Sequence, residues 1–246
     1  VATQVIGAAR CAVLYPAVAE AAHRLGAAAV GLIAVGSPAG LDLLVDRVGI
    51  TYSDGRVLGD PRSPVQLHPS VVGGLPVPGR TIPAVVARIA VDRDRVDPTD
   101  AQWLRARVAT DRPEQADELR AALALAATAP PLLLRGDPVD LLPDALSRVP
   151  AHALPVVTTT WALSRLRPER RLRFLHRLDE AVAGRAVAWV SAEGVGVAPS
   201  VPTLGDRPAS GHSIIGLAVS DGSALRAEAL GRCWSRGRLL SWLAES

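Results

Sequence analysis

Val30-Gly31-Leu32-Ile33-Ala34-Val35-Gly36-Ser37-Pro38-Ala39-Gly40-Leu41 is the stretch on which the reading of this chain turns. A short apolar run rich in β-branched residues, closed by a glycine turn, has the character of a strand buried on both faces of a parallel sheet. Glycine at 36 and 40 suits a turn that needs positive φ or that a ligand must approach closely. Upstream, Ala9, Ala12, Val13 and Ala17 keep an apolar face at helical spacing, which predicts a helix over Ile6–Leu25 ended by Gly26. Pro16 predicts a kink or break inside it.

Working outward, the same alternation repeats. Strands are predicted at Ala84–Val91, Leu132–Leu134, Leu154–Thr159 and Ala186–Ser191. Helices are predicted at Pro98–Thr110, Arg112–Ala127, Val139–Val149 (interrupted near Pro143) and Arg167–Ala183. Ser213–Val219 and Ala224–Leu230 flank Asp221-Gly222, a hairpin signal. Alternating strands and helices imply a parallel sheet covered on both faces. The expected fold is therefore α/β: a doubly wound, mainly parallel sheet closed by an antiparallel hairpin, the order of class I methyltransferases. One domain over 1–246 is expected, with residues 48–80 as an insertion after the first βα unit. That insertion contains the hairpin signal Ser53-Asp54-Gly55 and then many Pro and Gly residues.

Composition narrows the function classes. The chain has 246 residues, is 49% hydrophobic and carries a formal net charge of +3. Its basic residues are all arginine, and they alternate with acids, as in Asp92-Arg93-Asp94-Arg95. Interleaving of this kind reads as a solvated surface, so no nucleic-acid partner is expected. No apolar run reaches the roughly 18–20 residues needed to span a bilayer, so no membrane role is expected. Cys11 and Cys233 lie far apart and lack metal-ligand spacing; buried free thiols, no metal and a reducing cytoplasm are the expectation. The five histidines show no H-x-x-x-H spacing, and Ser37 lacks the Gly-x-Ser-x-Gly context of a hydrolase nucleophile.

Open α/β sheets bind ligands beyond the carboxyl ends of their strands. There the first turn offers Gly36, Ser37 and Gly40, with Pro38 where a methyltransferase E/D-x-G-x-G-x-G motif has its middle glycine. Asp92 ends the next predicted strand and is placed to accept from two ribose hydroxyls. Asp137, in Arg135-Gly136-Asp137, is placed either to accept from an adenine amine or to cap the turn before Pro138. Thr159, Thr160 and Trp161 end the fourth strand, where they either shape a substrate pocket or form a β-branched strand end with a core tryptophan. Asp60 and Arg62, in the stiff turns of the insertion, are expected over the same edge, near Gly36 or Asp92. A solvent-exposed ornament or a homodimer contact is the alternative use of that insertion. No general base is identified.

The chain resembles the bacterial domain of unknown function family 2332. The similarity lies in Ala9-Arg10 and the following helix, Val35 to Leu43, Leu58-Gly59-Asp60-Pro61-Arg62-Ser63-Pro64-Val65, Arg88 to Asp97 and Thr159-Thr160-Trp161. The resemblance implies a methyltransferase-type Rossmann fold and leaves the reaction open. Family members carry an acid where this chain has Ala34 and Asn where it has Asp42. Their Trp-Pro-Asp-Gln-like segment stands here as Ala109-Thr110-Asp111-Arg112, and their late His-Gly pair falls within Cys233–Gly237 without the histidine. Two functions follow as expectations. The first is S-adenosylmethionine-dependent methyl transfer to a small-molecule substrate. The second is a degenerate scaffold acting on a protein partner.

Overall fold

A computed structural model describes residues 8–94, 113–182, 184–220 and 224–245. After a 3-10 turn at Ala8–Arg10 come α1 (Cys11–Arg24) and β1 (Ala29–Val35). The insertion supplies β2 (Gly49–Thr51), β3 (Val57–Gly59), β4 (Gln66–Leu67) and β5 (Ser70–Gly74). Alternation then resumes with β6 (Ala84–Asp92), α2 (Pro113–Thr128), β7 (Leu132–Arg135), α3 (Leu142–Ser147), β8 (Leu154–Thr160), α4 (Pro168–Val182) and β9 (Val187–Gly194). The chain closes with β10 (Ser213–Ser220), β11 (Arg226–Trp234) and β12 (Leu239–Trp242). The predicted helix Pro98–Thr110 and the Asp221-Gly222 turn lie outside the described residues.

The central sheet has nine strands in the order β5-β12-β11-β10-β9-β8-β1-β6-β7. β7, β6, β1, β8 and β9 are mutually parallel. β10, β11 and β12 follow as an antiparallel meander. The protein is thus mixed α/β, with a large, mostly parallel sheet and an antiparallel flank. β1 and β8 are buried at every position, as their continuous apolar runs require at the centre of a sheet covered on both faces. One face packs Val30, Leu32 and Ala34 of β1 against α1, α2 and the insertion. The other packs Ile33 and Val35 against α3 and α4. There Phe174 of α4 meets Trp189 of β9 edge-on, with ring centroids 5.3 Å apart.

Two sequence expectations need correction. Pro16 does not break α1, which runs unbroken through it. Proline removes the N–H that would bond to the carbonyl four residues back. That carbonyl, of Ala12, instead accepts the buried Tyr52 hydroxyl at 2.6 Å. The lost helix bond is thereby replaced by a tether to the insertion. The second correction concerns the sheet's end. The predicted hairpin is present as β10 and β11, but it does not close the sheet: β12 extends the antiparallel run and β5 caps it. β5 comes from the insertion and pairs in parallel with β12, Leu239 opposite Ser70. Residues 48–80 therefore form a three-stranded sheet, β3-β2-β4, and also supply the edge strand of the main one.

Candidate functional site

The strand order reverses at β1. The chain leaves it toward β6 and β7, then returns to β8 on the other side. Such a reversal opens a crevice at the carboxyl ends of the two central strands. The ends of β9 and β11 and the start of β10 reach the same edge, since Ser213 lies opposite both Gly194 and Cys233.

At the end of β1, Gly36 has φ 74° and its N–H donates to the Val91 carbonyl at 2.8 Å. A Cβ at Gly36 would lie 2.7 Å from Ala162 Cβ and 2.8 Å from an Arg165 guanidinium nitrogen, so the position excludes a side chain. Its carbonyl accepts from Arg165 at 2.7 Å. Ser37 is buried, and Gly40 also has positive φ, at 64°. Asp92 is buried at the end of β6, one strand over. Its Oδ1 accepts the Asp94 N–H at 2.8 Å, and its Oδ2 accepts nothing among the described residues.

Asp137 has the geometry of a turn cap. Its Oδ1 accepts the Val139 and Asp140 N–H groups at 2.9 and 3.3 Å together with Arg170, and its Oδ2 accepts Arg93. Burial alone would raise its pKa, but the two arginines and the backbone donors outweigh it and hold the carboxyl below its ordinary value. The acceptor capacity expected for adenine is already taken.

The strand-end threonines divide between the two faces, as alternating residues must. Thr159 is fully buried and its hydroxyl accepts the Trp189 indole at 3.1 Å, so it belongs to the α4 side of the core. Thr160 faces α1: its hydroxyl donates to Asp42 and accepts from Arg10 at 3.0 Å. Arg10, almost fully buried, also lies 3.5 Å from Asp42. Trp161 is half-buried with φ 51°, and its indole N–H donates to Ser213 Oγ at 2.8 Å. Asp60 and Arg62 bond within their own turn, where the Arg62 N–H donates to Asp60 at 2.9 Å. Among the described residues neither makes a hydrogen bond or ion pair with Gly36 or Asp92. An open groove of about 710 Å³ also involves the insertion, lined by Ser53–Val57, Val71 and Gly73–Pro76, and it includes none of the strand-end residues above.

Several groups at this edge escaped the sequence reading. Glu193, last but one in β9, is fully buried. Its Oε1 accepts the Ala162 and Leu163 N–H groups at 2.9 and 3.0 Å, while its Oε2 has no partner among the described residues. Burial pushes its pKa up from 4.5 to about 7, against the lowering pull of those backbone donors and of Arg165. Burial, with Glu193 nearby, likewise pushes the Cys233 thiol up to about 12, and Cys11 is raised chiefly by burial, so neither cysteine is an activated nucleophile. Arg10 and Arg236 both lie over the Trp161 ring, at 5.5 and 5.3 Å from its centroid. At the rim, Arg232 holds Asp206 at 2.6 and 3.1 Å, and Asp206 orients His212 at 2.8 Å. Arg232 first and His212 second keep the Asp206 carboxyl below its ordinary pKa. A charge inside the apolar strand Val187–Gly194 was the one visible sign of Glu193.

Fold and site together define a three-layer α/β protein with polar and charged side chains clustered at the strand ends where its strand order reverses. The chain belongs to the family DUF2332, described as an uncharacterized protein conserved in bacteria, whose model matches residues 2–242. No curated protein matches it. Among the described residues no helix is long and apolar enough to cross a membrane, and no group of three or more His, Cys, Asp or Glu residues could hold a metal ion.

Proposed function

We propose that the carboxyl ends of β1 and its neighbours β6 and β8 bind S-adenosylmethionine, with the nucleoside over β1 and β6, and that the protein is a methyltransferase. One observation carries the reading. The Gly36 turn and Asp92 stand side by side at adjacent strand ends, tied by the Gly36–Val91 hydrogen bond, and Asp92 keeps one carboxylate oxygen without a partner among the described residues. A bare backbone turn next to an available carboxylate fits a nucleoside whose ribose hydroxyls donate to the acid. Gly36, Ser37 and Gly40 would border the amino-acid part and Asp92 the ribose; Asp137 is reassigned to capping. The parallel order β7-β6-β1-β8-β9, followed by antiparallel strands, agrees with a methyltransferase-type Rossmann sheet. The cofactor would supply the activated methyl group. The protein's own part would be to position the acceptor in line and exclude water.

The scaffold reading draws on other observations. Ala34 leaves β1 without an acid near its end, Arg165 covers the Gly36 carbonyl, and Asp137 is saturated. Calorimetry with S-adenosylmethionine, S-adenosylhomocysteine and NAD separates the two. The enzyme reading expects saturable heat with the first two and none with NAD. Asp92→Asn keeps the acceptor for Asp94 but removes the available one, and should weaken binding by about 1–3 kcal/mol. No heat with any of the three, together with a stable protein partner in pull-downs, would favour the scaffold.

A further inference from the structure

We propose that Arg236, which lies over the Trp161 indole, together with the neighbouring Arg165 and Glu193, forms a binding site for an oxyanion, a carboxylate or phosphate group carried by a small-molecule ligand. The inference borders the methyl-donor reading through Arg165, which bonds the Gly36 carbonyl, but it uses none of Gly40, Asp92 or the β6 strand end.

Three cations converge here from distant parts of the chain. Arg10 and Arg236 share one indole, and Arg165 reaches over the Gly36 carbonyl. Arg10 is compensated by Asp42 and Thr160. Arg236 is not: among the described residues its guanidinium has the Trp161 face and no hydrogen-bond acceptor. Burial, then Arg10 and Arg165, act to strip its proton, which marks a site where positive charge is in excess. Such an excess is relieved by an anion, and a guanidinium with open donors presents the fork that carboxylates and phosphates match.

The buried Oε2 of Glu193 is the second, independent pointer. It has no partner among the described residues, although buried polar atoms are nearly always paired. Its neutral form leaves the charge of Arg165 and Arg236 uncompensated, whereas its ionised form would offset that charge in place of a bound oxyanion. The backbone is bent to build this corner. Trp161, Ser235 and Arg236 all adopt positive φ, at 51°, 48° and 58°, which non-glycine residues seldom do. Trp161, Arg165, Ser235 and Arg236 all keep solvent access, so a ligand group can enter.

The groups facing Glu193 set the pH dependence. They are the Ala162 and Leu163 N–H groups and Arg165 from the segment after β8, and Cys233 and Arg236 from β11 and its following turn. The arginines and the raised Cys233 thiol do not change charge near neutrality, whereas Glu193 does. Oxyanion binding therefore weakens as pH rises and Glu193 ionises.

The test follows the Trp161 indole N–H resonance of the ¹⁵N-labelled full chain during titration with sulfate and, separately, acetate. Neither probe changes charge between about pH 6 and about pH 8.5, and chloride holds the ionic strength constant. A saturable shift is expected, tighter at the lower pH. Preference for sulfate marks a phosphate ligand, and preference for acetate a carboxylate. Arg236→Asn, chosen because Asn tolerates positive φ, should weaken binding about tenfold or more, as should Arg165→Gln. Glu193→Gln should keep binding but abolish its pH dependence. No saturable shift with either anion up to about 50 mM would overturn the proposal, as would equal affinity in the wild type and both arginine variants. Failure here with S-adenosylmethionine still binding removes this site alone.

Discussion

Glu193→Gln tests the electrostatics of the strand-end crevice. Burial lifts the Glu193 pKa from 4.5 to about 7. In acid both folded and unfolded chains hold this proton, and the group contributes nothing. Between 4.5 and 7 the unfolded chain ionises while the folded one does not, so stability falls as pH rises. Above that window the folded state carries the whole penalty. At about 1.4 kcal/mol for each pKa unit, this amounts to about 3 kcal/mol. Glutamine does not titrate and keeps an oxygen for the Ala162 and Leu163 N–H groups. Urea unfolding of both proteins at about pH 4 and about pH 8.5 gives the difference in unfolding free energy at each. That difference should shift in favour of the variant by about 3 kcal/mol from acid to base. A shift below about 1 kcal/mol would refute the reasoning, because Glu193 would then ionise as it does in water.

Tyr52→Phe should cost about 1–3 kcal/mol in denaturant unfolding, because Pro16 leaves the buried Ala12 carbonyl no amide donor. Pro16→Ala restores that donor, so in its background the same substitution should cost distinctly less, as a double-mutant cycle would show. Asp137→Ala should lower stability by about 1–3 kcal/mol near neutral pH, through lost capping and lost Arg93 and Arg170 contacts. Because its folded pKa is depressed, that contribution should be present above the ordinary carboxyl value and fade as pH falls through the folded one.

What the sequence made legible was local. The apolar runs of β1 and β8 identify central parallel strands because burial on both faces leaves no room for polar residues. The helical spacing of Leu172, Leu175 and Leu178 reports the buried face of α4 only in part, since Leu178 is buried but Leu172 is exposed and Phe174 is buried instead. The position of Asp92 at a strand end was legible because it ends such a run. β5 was not, since Ser70-Val71-Val72-Gly73-Gly74 has no alternating pattern and its partner β12 begins at Leu239. Alternation puts Thr159 and Thr160 on opposite faces, but which of them meets α1 and which the α4 side was known only from packing. The charged corner was hidden for a different reason. Arg10, Asp42, Thr160, Glu193 and Arg236 meet only because five separate segments end at one edge of the sheet, and no sequence spacing encodes that meeting.

The central claim is that a nucleoside cofactor lies at the paired ends of β1 and β6. Mapping backbone amide shifts of the full chain during titration with S-adenosylhomocysteine tests it most directly. The account predicts saturable shifts at Gly36, Ser37, Gly40, Asp92 and Arg93, lost in Asp92→Asn at the same ligand concentration. Shifts confined to the Ser53–Pro76 groove, or none at millimolar ligand, would contradict it.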